Sequence, residues 1–137
     1  MDESHRMLRR ERAVRNESEG PPSPLRVDVW PEGDVVHVCP VGEIDFDTVH
    51  RVRDRMDELR VAGFRRLILD LRGVTFLDST GIRLVVEADA SARADGFEFA
   101  LIEGPAKVQR VFEITGLRSA LPFIDPSQDG GGRRPRP

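Results

Sequence analysis

Two hydroxyls stand beside a carboxylate in Asp78-Ser79-Thr80-Gly81, at the centre of the segment Phe-Leu-Asp-Ser-Thr-Gly-Ile-Arg-Leu over residues 76–84. A serine or threonine hydroxyl can accept a phosphoryl group. One that opens a helix does so where free backbone N–H donors and the helix dipole favour an added anion. Val74-Thr-Phe-Leu77 leads into this turn, where a strand is expected to give way to such a helix. Two readings of Ser79 stand side by side: a phosphoacceptor, which would make the domain a binary switch, or an ordinary N-cap, a position where Asp, Ser and Thr are all favoured. Thr80 is the lesser candidate for modification. Nucleophilic catalysis by Ser79 would need a nearby base, and neither a Gly-x-Ser-x-Gly elbow nor an evident His partner is present. No Gly-x-x-x-x-Gly-Lys loop occurs, so any nucleotide has to arrive with a partner. His37 and His50 lack a third ligand at metal spacing; neither a metal nor a cofactor is expected.

A second group of acids, Glu43, Asp45 and Asp47, precedes another helical pattern. Asp45 either caps that helix or faces a partner on the same edge as Ser79, since both residues precede helices. With Glu43 and Asp47 it could make that edge complementary to a basic groove. Arg83, four residues beyond Ser79, is placed one helical turn on and is either a solvated side chain or a partner for a phosphate. Asp70 and Arg72 flank a central strand and read as structural. The lone Cys39 lies in an apolar stretch, which excludes an internal disulfide and suits a buried, inert thiol.

The elements that must position these groups follow from periodicity. Leu25, Val27 and Val29 alternate with polar residues as in a half-buried strand, Pro31-Glu-Gly-Asp34 turns, and Val35–Cys39 returns as its hairpin partner. Val49, Val52, Met56 and Leu59 make one stripe of an amphipathic helix ending near Gly63. Arg66-Leu-Ile-Leu-Asp-Leu71 suits a strand covered on both faces. The stretch from Ile82 to Ala94, without Pro or Gly, predicts a helix stopped at Gly96, followed by a strand over Phe97–Ile102. Pro105 opens a last helix whose stripe is Val108, Val111, Phe112 and Thr115, and Leu121–Ile124 adds an edge strand or docked tail. The order predicts an α/β fold with a mixed, mostly parallel sheet of 4–5 strands that opens with a hairpin and is packed by 3–4 helices. Trp30 and Phe112 are expected in the core or at its rim.

The chain has 137 residues, 39% hydrophobic and 33% charged, enough for one domain with its own core. Residues 1–24 end in Gly20-Pro-Pro-Ser-Pro24 and read as a disordered lead-in; 25–125 hold the fold; 126–137, with three glycines and Arg-Pro-Arg-Pro, read as a disordered tail. Residues 25–125 carry eighteen acids against thirteen bases, a poor match to nucleic-acid phosphates. No run approaches the ~20 apolar residues of a membrane span. The first residues are charged and lack a leader's apolar stretch, so a cytoplasmic setting is expected.

Taken together, Gly42-Glu43-Ile44-Asp45, Leu69-Asp70-Leu71 and Val74-Thr75-Phe76-Leu77-Asp78-Ser79-Thr80-Gly81 resemble the STAS family over about residues 25–125, and most of all its bacterial anti-sigma factor antagonists. The resemblance implies a partner-switching cycle. In it the dephosphorylated antagonist binds an anti-sigma factor that is also a serine protein kinase, which frees a sigma factor for transcription; phosphorylation releases the antagonist, and a serine phosphatase restores it. It implies Ser79 as the phosphoacceptor and Asp45 and Asp78 as kinase-contact positions, with Glu43, Thr80, Gly81 and Arg83 on the partner-facing surface. Many members carry glycine where Arg83 stands, so this chain places a long cation on the surface that the partner reads. The alternative within the family is a non-switching scaffold subunit of a stressosome or a lipid-transport complex.

Overall fold

The computed structural model describes residues 3–14 and 24–128, with backbone alone for residues 3–7. Strand β1 (Leu25–Glu32) runs antiparallel to β2 (Val35–Ile44) in full register from Leu25↔Gly42 to Glu32↔Val35. The alternation seen in the sequence is the reason: Leu25, Val27 and Val29 all point inward and are buried. Helix α2 (Val49–Val61) then leads to β3 (Arg66–Asp70), and its stripe Val49, Val52, Met56 and Leu59 is buried as expected. Strand β4 (Val74–Leu77) precedes α3 (Ser79–Asp95), which is followed by β5 (Glu98–Ile102), α4 (Ala106–Ile114), β6 (Phe123–Ile124) and a 3-10 turn at Pro126–Gln128.

The sheet order is β1-β2-β3-β5-β6, parallel from β2 onward, with β4 paired beside β2. Successive parallel strands step in one direction, so right-handed crossovers place α2, α3 and α4 on the same face. There Val36, Val38, Leu67, Leu69 and Leu101 meet Leu59, Leu84, Val108 and Phe112 in one core cluster. Phe112 is fully buried and meets Phe123 edge-to-face, ring centroids 5.2 Å apart, while Trp30 is half-buried. On the opposite face Cys39 and His37 are buried near Asp70 and Ile68. Asp70, wholly buried, accepts a fork of hydrogen bonds from Arg72 Nε and Nη2 at 3.0 and 2.9 Å. A buried carboxylate needs such pairing, which accounts for both residues structurally.

Among the described residues six strands stand where 4–5 were expected, because β2 has two successive partners. Val35–Val38 pair with β3; a bulge between Gly42 and Glu43 then shifts the register, and the last residues of β2 pair with β4 through Glu43↔Phe76 and Ile44↔Leu77. Gly42 sits at φ +120°, with its amide bonded to Gly73 O, while Glu43 N–H donates to Pro24 O.

The lead-in reading of residues 1–24 is corrected for Glu3–Ala13, which form helix α1. Good helix formers supply the propensity, but tertiary contacts hold the element. Arg10 Nη2 donates to Asp34 Oδ1 (2.9 Å) and Gly63 O (2.8 Å), its guanidinium lies 4.9 Å over the Phe64 ring, and Ala13 joins the core. Expectations for residues 15–23 and 129–137 lie outside the described residues. In α4 the buried face is Val108, Gln109 and Phe112; Val111 is half-buried and Thr115 is exposed, against the expected stripe. Thr115 instead ends the helix, its hydroxyl donating to Val111 O at 2.8 Å.

Candidate functional site

Parallel pairing of the ends of β2 and β4 sets the two acidic turns side by side. Asp78 N–H donates to Ile44 O at 3.2 Å, which joins the turn before α3 to the turn before α2. Each turn is organised by its own aspartate. Asp45 Oδ1 accepts from the amides of Asp47 (2.9 Å) and Thr48 (3.1 Å), and Thr48 Oγ1 donates to Glu43 O at 2.8 Å. Asp45 is therefore a turn-capping residue at the entry to α2.

The residue that caps α3 is Asp78. Its backbone is extended (φ −102°, ψ −169°) and its Oδ1 accepts from Thr80 N (2.9 Å), Gly81 N (3.3 Å) and the Thr80 hydroxyl. The N-cap reading of Ser79 is thereby corrected: Ser79 is the first residue of the helix, exposed, and its hydroxyl makes no hydrogen bond with the described residues. Three cap-competent residues in succession left the choice open in the sequence. Geometry decides it, because only Asp78 has the extended backbone from which a side chain reaches forward to the second and third amides. The expected helix start at Ile82 moves back to Ser79 for the same reason. Thr80 is half-buried with its proton given to Asp78, so the two hydroxyls differ in availability: Ser79 is open and Thr80 is engaged.

Partial burial pushes Asp78 up. The Thr80 hydroxyl and the amides of Gly81, Thr80 and Phe46 outweigh that and hold its carboxyl below the ordinary aspartate value. Since the depressed value belongs to the folded state, the carboxylate's extra stabilisation is full above about pH 4 and is lost as pH falls through the folded value. Asp78→Ala is expected to cost about 1–2 kcal/mol. Asp78→Asn, which can still cap, is expected to lose little at pH 7 and to approach the wild type as pH falls through the depressed folded value of Asp78. Thermal melts of the three proteins from pH 7 downward check this; a wild-type advantage over Asp78→Asn that does not shrink as pH falls below the ordinary aspartate value would assign it to something other than the carboxylate.

Gly81 is buried where the first turn of α3 meets β4: a Cβ there would come within 2.8 Å of Leu77 Cδ1 and 3.2 Å of Ile44 Cγ2. This glycine lets the helix start close to both strand ends. Arg83 is exposed and makes no ion pair with the described residues. Glu43 and Asp47 are exposed likewise. The structure thus gathers Glu43, Asp45, Asp78, Ser79, Thr80 and Gly81 at one edge and leaves Arg83 one turn further along the helix.

Two residues missed in the sequence belong to this edge. Phe46, between Asp45 and Asp47, is 79% exposed, and Phe76 of β4 is 48% exposed. An aromatic flanked by two acids was the available signal for Phe46. Phe76 gave none, because β4 buries only its end residues, Val74 and Leu77, and does not alternate. Among the described residues no cluster of His, Cys, Asp and Glu side chains fits a metal, and no helix is long and apolar enough to cross a membrane.

Comparison with known proteins agrees with this architecture. Residues 28–129 match the STAS domain family. The anti-sigma-B factor antagonist of Listeria monocytogenes is 34% identical over 88 residues, 64% of this chain and 77% of that protein. The anti-sigma-B factor antagonist of Staphylococcus aureus is 30% identical over 80 residues, 58% of this chain and 74% of its own. The crystal structure of an anti-sigma factor antagonist from Mycobacterium paratuberculosis superposes with a TM-score of 0.66 at 23% identity, covering 82% of this chain and 94% of that one, a likeness of fold. With its mixed sheet, its two joined turns and the match over residues 28–129, the chain belongs to the STAS domain family and is similar to anti-sigma factor antagonists.

Proposed function

We propose that this protein is an anti-sigma factor antagonist controlled by phosphorylation of Ser79. The observation that carries the reading is the open Ser79 hydroxyl on the first turn of α3, beside an aspartate that already caps the helix. A kinase can reach that hydroxyl without dismantling a cap. Transfer moves the γ-phosphoryl of ATP to Ser79 Oγ, ADP leaves, and the hydroxyl proton passes to a base of the kinase or to water. The kinase is the anti-sigma factor itself, and a separate serine phosphatase reverses the step.

The unmodified edge offers a partner two exposed aromatics, Phe46 and Phe76, flanked by the carboxylates Glu43 and Asp47. Aromatics of this kind are common interface anchors, and the acids steer a basic partner. The proposed action is regulatory binding rather than catalysis by this chain, with no direct contact to nucleic acid. The test is incubation of the full chain with ATP and each ATPase-fold anti-sigma kinase of the same genome, followed by intact mass. A gain of one phosphate, lost in Ser79→Ala and retained in Thr80→Ala, is the expected result. No gain with any of these kinases would favour the non-switching scaffold reading.

A further inference from the structure

Helix α4 has a second face that its core contacts do not use. Val108 and Phe112 point into the core, whereas Lys107, Arg110, Val111 and Ile114 recur at offsets of three, four and seven from Lys107 and share another side. On that side Lys107 and Arg110 are exposed, Val111 is half-buried and Ile114 is 76% exposed. Facing it across a groove of about 660 Å³ are Thr75, Phe76 and Leu77 of β4. The groove exists because β4 pairs on one side alone, with β2, while α4 packs near its other side.

Single exposed apolar residues are ordinary on a protein surface. Here they stand on both sides, Phe76 on the strand and Val111 on the helix, and the exposed Ile114 carries the apolar stretch of the helix beyond the groove's end. The charges are equally definite. The groove's ionisable side chains are Lys107, Arg110 and Glu113, and none of them is ion-paired with the described residues. The result is an apolar concavity whose helix wall presents two cations, Lys107 and Arg110, beside Glu113, while Glu43 stands across the ladder from Phe76 on the strand wall. Lys107 and Arg110 lie one helical turn apart, a spacing that acids one turn apart on an opposing helix can match.

We infer that the β4–α4 groove is a docking surface for a short amphipathic helix of a partner protein, one bearing acidic residues one turn apart beside its apolar stripe. The charge complementarity argues for that occupant: an acidic amphipathic helix pairs with both cations while its apolar side covers Phe76, Val111 and Ile114. The surface continues into the phosphoacceptor turn through Leu77 and Asp78, yet its charge is opposite in sign to the Glu43–Asp47 rim. A partner engaging both surfaces would present a basic patch to one and an acidic helix to the other. This fixes orientation in a way that neither surface achieves alone.

The test needs no phosphorylation, so its outcome is separable from that of the Ser79 reading. The probe is a labelled synthetic helix of about fourteen residues, ~21 Å long, with leucines at heptad spacing flanked by glutamates; its counterpart carries lysines at the glutamate positions. Anisotropy titration against the unmodified full chain is expected to show the acidic peptide binding at least ~10-fold more tightly than the basic one. The preference should reverse in Lys107→Glu/Arg110→Glu, and Ile114→Ser should weaken binding several-fold. Circular dichroism checks that these surface variants stay folded. Amide shift changes in a nitrogen–proton spectrum should centre on residues 75–77 and 106–114. Equal binding of the two peptides, or shifts centred elsewhere, would overturn the inference. Sedimentation showing that the free chain dimerises through this face, with the dimer lost in Ile114→Ser, would assign the groove to a second copy and overturn it too.

Discussion

Phosphorylated Ser79 is expected to weaken binding to the anti-sigma partner by more than ~100-fold, because burying an uncompensated phosphate at an interface costs about 3 kcal/mol or more and each ~1.4 kcal/mol is tenfold. The melting temperature is expected to stay within about 2 °C, corresponding to well under 1 kcal/mol for a domain of this size. The site explains the separation of the two effects. The amides of Thr80 and Gly81 are already taken by Asp78, so a phosphate on Ser79 neither replaces the cap nor gains much from the helix dipole. It stands in solvent beside a carboxylate, and a charge of roughly −2 is felt when a partner closes over it. Calorimetric titration of both forms with the partner kinase, alongside thermal melts, checks the pair of statements. A phosphorylated form that binds equally well, or that melts many degrees lower, would refute the interface account.

Arg83 enters the same experiment. As the exposed cation one turn along α3, it can screen the phosphate and blunt the switch. In Arg83→Gly the affinity ratio between the two forms is expected to widen several-fold; an unchanged ratio would show that the guanidinium does not reach the phosphate.

Replacing Gly42 by alanine is expected to destabilise the fold by more than about 3 kcal/mol, lowering the melting temperature by more than ~10 °C. A Cβ at this position would lie 2.0 Å from Pro24 O and 3.0 Å from its carbonyl carbon, and the residue's φ of +120° is itself unsuited to an L side chain. Backbone is on the receiving end, so relief requires moving the start of β1 away from β2. Gly33 provides the comparison: its φ is +63° but nothing lies within 4 Å of its Cβ position, so Gly33→Ala is expected to cost only about 1–2 kcal/mol. Chemical denaturation of both variants separates backbone conformation from steric closure. Equal losses would mean that the close approach to Pro24 contributes nothing.

Features with a local cause were legible in the sequence. The alternation of Leu25, Val27 and Val29 gave a strand and the stripe through Val49, Val52, Met56 and Leu59 a helix, because each pattern is the fingerprint of one buried face. That Asp45 and Ser79 share an edge was legible because both precede helices, but the bond that joins their turns was not, since their meeting depends on β2 changing partners at Gly42. That change is a tertiary choice with no local signature beyond the glycine. Helix α1 was missed for a related reason: it is anchored by Arg10 to Asp34, Gly63 and Phe64, contacts distant in the chain that leave no periodic trace. The cap at Asp78 lay within one residue of the expected place, and that one residue separates an occupied oxygen from an open hydroxyl.

The bond from Asp78 N–H to Ile44 O, with the register Ile44↔Leu77, has a consequence for how the cell counts this protein. The two turns stand side by side only once two distant stretches of chain have zipped together, so a copy in which β2 and β4 have not paired does not present the joined edge. Competition for the anti-sigma factor would then be a census of finished molecules.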